Sequence, residues 1–156
     1  MPDRDRPNLP EGYGLPANDE GLLNWEDIRT RLEQAKYFWI CTASSNGKPH
    51  ARPLWGAWVQ DTFYFDGALT TRWGQNLSIN PQVEIHLESG AEVVIIEGLF
   101  SISNDLTSET FEQVRASYKQ RYESYQPEHA EGMYMIRPNK VIAWKEFPKD
   151  MTRFRF

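Results

Sequence analysis

From Tyr37 to Ala43 apolar and aromatic side chains recur at every second position, and this period of two predicts a strand. Asn46-Gly47 follows, a pair suited to the positive-φ positions of a hairpin turn, and Pro49 to Val59 reads as the returning strand. Asp61 marks a second turn before a strand over Thr62 to Asp66. Strands joined by such tight turns form an antiparallel meander, not a βαβ unit. Farther on, Val83, Ile85 and Leu87 alternate with Glu84, His86 and Glu88, and Glu92 to Ile102 is a longer, more fully apolar strand in which Gly98 marks a bulge. Met133 to Ile136 and Lys140 to Glu146 read as two closing strands.

Three stretches carry a helical period instead. Trp25, Ile28, Leu32 and Ala35 predict a helix over 24–36, with Asn24 as its cap and Asp27 in the capping-box position. Thr70 or Thr71 can cap a short helix running to Ile79; Asn80-Pro81 stops it, because the residue before a proline is pushed out of the α region. Phe111, Val114, Tyr118 and Tyr122 form the packing stripe of a helix over Ser108 to Tyr125. Residues 1–22 show neither period and hold four of the ten prolines, so they read as an extended arm ahead of a domain over residues 23–156. Short antiparallel strands with a few helices predict a mainly β fold, a closed or partly closed barrel.

Composition narrows the function. With 156 residues, 40% of them hydrophobic, the chain can bury one substantial core. Its formal charge is -5 and its basic residues form no run, which argues against nucleic acid or an anionic membrane surface as partner. Apolar stretches such as Val93 to Ile96 are far too short to span a bilayer. No charged segment followed by an apolar one opens the sequence, and Cys41 alone makes no internal disulfide, so a cytoplasmic location is expected. Cys41 lies in an apolar strand and reads as a small buried hydrophobe. His50 and His86 lack the spaced partners of a zinc site, and no metal is expected. Aromatic residues make up 13% of the chain, which suits a flat ligand, a large subunit interface, or simply an aromatic-rich core.

The ordered set of motifs from Pro49 onward resembles the pyridoxamine-phosphate oxidase-like family of split β-barrels. An arginine-bearing strand, His50-Ala51-Arg52-Pro53-Leu54-Trp55, is followed by Thr71-Arg72-Trp73 opening a helix, and Asn80-Pro81 ends that helix. A strand from Glu92 to Gly98 follows, and Pro138, Trp144 and Arg153 recur near the C-terminus. The resemblance implies a barrel of about six strands, and a homodimer with two sites for FMN or its deazaflavin relative, coenzyme F-420, at the subunit interface. It places Arg52, Pro53, Leu54, Trp55, Asp66, Gly67, Thr70, Thr71, Arg72, Trp73, Glu92, Trp144 and Arg153 at the cofactor.

The chemistry of these residues is consistent with that assignment. Hydroxyls, a helix N-terminus and the Arg72 guanidinium suit a phosphate, while the strand around Pro53 to Trp55 can cover an isoalloxazine ring. Two departures stand out: Trp73 and Ala57 occupy positions where the oxidase carries lysines, so the oxidase's own reaction is not expected. The helix opening also lacks extra cations for a polyglutamate-tailed deazaflavin, which tilts the expectation toward FMN. The function implied is hydride transfer to or from a small organic substrate, with the chemistry supplied by the cofactor and no catalytic side chain required. An alternative is a non-enzymatic protein that stores, senses or sequesters a flavin or heme on the same barrel. A dimeric structural domain without ligand is a third.

Overall fold

The computed structural model describes residues 1–105, 107–123 and 132–156, and in it the alternating segments become nine strands of one antiparallel sheet. β1 is Asp3–Asp5, and the first hairpin joins β2 (Phe38–Ala43) to β3 (Pro49–Leu54) through a turn with Gly47 at φ +80°. β2 buries Phe38, Ile40 and Thr42 and turns Trp39, Cys41 and Ala43 to the other face. β4 (Ala57–Val59) and β5 (Thr62–Phe65) form a second hairpin on Gln60 and Asp61, at φ 50° and 54°, and Trp25 Nε1 donates to Asp61 Oδ1 at 3.2 Å. β6 (Gln82–His86) lies between β2 and β7 (Val93–Ser103).

The strand β8 (Met133–Trp144) organises the rest. Along one edge it pairs with β7; along the other its first half pairs with β5 and its second half with β9 (Thr152–Arg155). The path runs β1-β9-β8-β7-β6-β2-β3, with β4–β5 branching from β8, so the sheet does not close on itself. With α1 (Trp25–Gln34), α2 (Arg72–Ile79) and α3 (Glu109–Arg121), this is a mainly β split barrel.

The architecture follows the expectation, and several details differ for physical reasons. The strand read as Pro49 to Val59 breaks at Trp55-Gly56, so β3 and β4 lie on separate branches. Gly56 makes that corner possible: a Cβ there would fall 2.2 Å from the Phe63 ring. Conversely, the two closing strands are one, because Asn139 bulges out between the Gly98–Pro138 and Glu97–Lys140 pairs and accommodates the proline. The bulge expected at Gly98 is therefore present, and a Cβ on Gly98 would lie 2.4 Å from the Arg137 carbonyl oxygen. Nine strands replace the six anticipated once β1, β9 and the β3/β4 break are counted.

Helix ends shift as well. Asn24 makes no capping bond; its Oδ1 instead accepts from Arg4 at 2.6 Å. α3 starts on Ser108, whose Oγ accepts from the Phe111 amide at 3.3 Å, and it ends at Arg121 with Tyr122 as C-cap. Tyr125, the end anticipated for it, lies outside the described residues. Cys41 is half-exposed rather than buried, and burial followed by the Glu84 charge raises its thiol pKa.

Two apolar clusters hold these elements. The larger fills the barrel with Ile28, Leu32, Phe38, Ile40, Phe63, Phe65, Tyr134 and Phe154. The smaller lies beneath α3, where the predicted stripe of Phe111, Val114, Tyr118 and Tyr122 meets Ala57, Val59 and Met133.

The arm is tied down at both ends of its path. Arg6 donates to the backbone carbonyls of Asn18, Glu20, Lys149 and Met151. Asp5 accepts from Arg153 at 2.8 and 2.7 Å and from Arg155 at 2.6 Å. The Arg153 hydrogen bonds, reinforced by Arg155, hold the Asp5 carboxyl below its ordinary value of 3.8. A depressed carboxylate stabilises the fold above its unfolded pKa, and that contribution is lost as pH falls through the folded value. The β1–β9 pairing is therefore expected to loosen below about pH 4, seen as loss of the folded amide resonances of Asp3–Asp5. In Asp5→Asn that acid step should vanish.

Candidate cofactor site

The entry to α2 is shaped by close contacts. Thr71 caps it, accepting from the Gly74 amide at 3.3 Å, and Trp73 and Leu77 are buried beneath. Asn76 Nδ2 donates to Thr42 Oγ1 at 2.9 Å, which ties the helix to β2. Gly67 lies at φ +145°, where a Cβ would stand 2.7 Å from the Trp73 ring, and a Cβ on Gly74 would stand 2.5 Å from the Leu69 Cα. The loop 66–71 is thereby pressed onto the first turn of the helix.

Register places β3 beside that turn. His50 is opposite Thr42 and Arg52 opposite Ile40, so both side chains share the face on which α2 packs. Burial, and then the charges of Arg52 and Arg72, push the His50 pKa down from 6.5 and favour the neutral imidazole. Neither Arg52 nor Arg72 has a hydrogen-bond or ion-pair partner among the described residues. Two uncommitted guanidinium groups beside a capped helix N-terminus are what a phosphate monoester requires. A phosphate-bearing group therefore fits this end of the site.

Just past the end of β3, Trp55 is 42% exposed and stacks on Tyr122 with centroids 4.7 Å apart and planes at 10°. α3 clamps the backbone of this corner. Tyr122 Oη donates to the Lys36 carbonyl at 2.7 Å and accepts from the Gly56 amide at 3.2 Å. Tyr118 Oη donates to the Trp55 carbonyl at 3.2 Å, and Arg121 to the carbonyls of Gly56, Glu33 and Ala35 at 2.8–2.9 Å. Periodicity alone predicts only packing for this stripe; tyrosines in place of leucines at its last two positions are the signal for the clamp. Tyr122→Phe keeps the ring under Trp55 but leaves the Lys36 carbonyl unpaired. The expected loss is about 1–2 kcal/mol in urea denaturation.

The remaining predicted residues fall into two groups. Leu54, Asp66 and Thr71 are half-buried around the cluster, and Pro53 is exposed on the opposite face of β3. Thr70 is exposed, with its carbonyl accepting from Gln75 Nε2 at 3.1 Å. Trp73 is only 9% exposed and Ala57 is fully buried under α3, so neither position offers a cation. Glu92, Trp144 and Arg153 lie elsewhere. Trp144 pairs with Val93 and meets the edge of Phe147 at 5.5 Å, Arg153 is held by Asp5, and the Glu92 carbonyl accepts from Arg31. Val141 and Ala143 face the core, so Trp144 points to the outer face, and β7, β6 and β2 separate its strand from Arg52. One chain does not bring the two groups together.

Among the described residues no helix is long and apolar enough to cross a membrane, and no group of three His, Cys, Asp or Glu is placed to hold a metal ion. The fold is shared with known split barrels. The chain has a TM-score of 0.64 to a conserved hypothetical protein from Mycobacterium tuberculosis, at 18% identity over 81% of this chain and 88% of that one. Against an F420 reductase the TM-score is 0.56 at 21% identity, covering 88% of this chain and 100% of the other. The heme storage protein HutZ from Vibrio cholerae gives 0.54 at 17%, covering 73% and 89%. At such identities these likenesses speak for the fold alone. No curated protein matches in sequence. The pyridoxamine 5'-phosphate oxidase family model matches residues 25–145, and the chain belongs to that family.

Proposed function

We propose that this protein is an oxidoreductase that holds FMN, or coenzyme F-420 in its place, in a groove between two copies of the chain and passes a hydride to or from a small organic substrate. The observation that carries this reading is the pair of uncommitted guanidinium groups, Arg52 on the face of β3 that meets α2 and Arg72 at the capped start of that helix. In it Arg72, Thr71 and Arg52 bind the phosphate, while Leu54 and Trp55 cover the ring and α3 fixes the corner that carries Trp55. When bound, the flavin supplies the hydride chemistry, so the protein's task is binding, orientation and exclusion of water. The separation of Glu92, Trp144 and Arg153 from Arg52 within one chain supports a site completed by a second copy. The division into an arm, 1–22, and a cofactor-binding barrel, 23–156, belongs to the same proposal.

The family includes flavin and deazaflavin binders, and the lack of further cations beside Arg72 at the opening of α2 weighs against a polyanionic tail and for FMN. The test is a parallel absorbance and fluorescence titration of the cofactor-stripped protein with FMN, coenzyme F-420 and heme. Saturable FMN binding, followed by accelerated reduction or reoxidation with candidate substrates, is the expected result. Tight binding without any acceleration assigns the protein to cofactor storage or sensing, and heme binding alone overturns the flavin reading.

A further inference from the structure

On the far side of the β5–β8 pair from the barrel interior, α3 leaves a cavity of about 200 Å³. Its floor is set by strand alternation: Met133, Met135 and Arg137 share one face of β8, and Tyr64 is directly opposite Met135. Phe111 and Val114 of α3 form the apolar wall. Gly98 packs so closely on the Arg137 carbonyl that a Cβ there would fall 2.4 Å from its oxygen. None of these residues belongs to the Arg52–Arg72 cluster.

The polar groups at this cavity are unequal. Arg137 has no hydrogen-bond or ion-pair partner among the described residues, and its charge reaches the Tyr64 phenol. Burial dominates there and raises the phenol's pKa, so Tyr64 is a neutral donor at pH 7. Asp105 also lines the cavity, but its Oδ1 is engaged by the Thr107 amide at 3.3 Å and hydroxyl at 3.1 Å. Ser108 satisfies the start of α3, and Glu109 and Glu112 occupy its first turn. A doubly charged phosphate in this lining would therefore meet one cation and the Asp105 carboxylate, whereas a single negative charge on Arg137 is matched one to one. An apolar cavity of roughly 150 Å³ takes a benzene ring, so this space suits a ring plus a carboxylate.

We propose that this cavity is a second small-ligand site, separate from the cofactor cluster, that takes a compact monocarboxylate with an apolar body, its carboxylate on Arg137 and Tyr64 and its body against Met133, Met135 and Phe111. The proposal stands whether or not the chain binds a flavin.

The test titrates the full chain by calorimetry with benzoate, with benzamide as a neutral isostere and with acetate as an anion lacking the apolar body. Each titration is run with and without saturating FMN. Benzoate is expected to bind saturably and at least ten-fold more tightly than either control, with no dependence on FMN. Arg137→Gln, at an exposed position that leaves the core intact, should erase the ten-fold advantage over benzamide. Arg137→Lys should restore part of it, and Tyr64→Phe should cost several-fold. Equal binding of benzoate and benzamide, no saturable benzoate binding, or full affinity in Arg137→Gln overturns the proposal. Displacement of benzoate by FMN also overturns it, because the cavity would then be part of the cofactor site. Failure of FMN to bind at all bears on the flavin reading and leaves the benzoate comparison decisive.

Discussion

Gly74→Ala is expected to destabilise the protein by about 3 kcal/mol, at the upper end of overpacking costs. Alanine in a helix normally gains up to about 1 kcal/mol over glycine, so the sign itself is diagnostic. The reason is the backbone of Leu69: a Cβ at position 74 would stand 2.5, 2.6 and 2.7 Å from its Cα, oxygen and carbonyl carbon. A flexible side chain would swing away, but here the loop 66–71 would have to lift off the helix start, dragging Thr71 from its cap. Stability and cofactor affinity should therefore fall together. The urea midpoint and an FMN titration of the same variant check this, and an unchanged midpoint would show that the loop yields freely.

Arg72→Ala should separate the two quantities. Arg72 is exposed and uncommitted, so the unfolding midpoint should move by no more than about 0.5 kcal/mol. A charge-assisted bond to phosphate contributes about 2 kcal/mol, which corresponds to roughly 30-fold weaker FMN binding. Riboflavin, which has the same ring and no phosphate, should bind wild type and variant alike. If both ligands weaken equally, Arg72 acts on the ring or on the fold, and the phosphate is held elsewhere.

The elements most legible in the sequence were those with a local signature. The alternation of Phe38–Ala43, the turn at Gly47, the stop at Asn80-Pro81 and the bulge at Gly98 all follow from the requirements of one or two residues. What escaped was decided by distant partners. Nothing around Trp55-Gly56 announces a break, because the break exists only where the Phe63 ring comes against Gly56. Pro138 looks like a strand terminator until Gly98, on another strand, makes room for the bulge beside it. The arm reads as irregular because β1 is three residues long and exists only by pairing with β9.

The candidate site divides the same way. Thr71 and Arg72 were readable from a helix start, and Arg52 from the order of motifs. His50 was passed over because its neighbours Arg52 and Arg72 come together only through the β2–β3 register and the docking of α2. The clamp formed by Tyr118, Arg121 and Tyr122 on Gly56 was hidden behind a periodicity that explains packing equally well.

The placement of β8 also governs how the chain reaches this structure. Because one twelve-residue strand is neighbour to β7, β5 and β9 at once, the β4–β5 hairpin and β9 join the β3-β2-β6-β7 run only through it. The ties between the two ends of the chain are among the most remote, with Asp5 and Arg155 lying 150 positions apart. Contacts so distant along the chain make for slow assembly. Refolding is therefore expected to be slower than in a helical domain of this length, and stopped-flow fluorescence of the six tryptophans checks it.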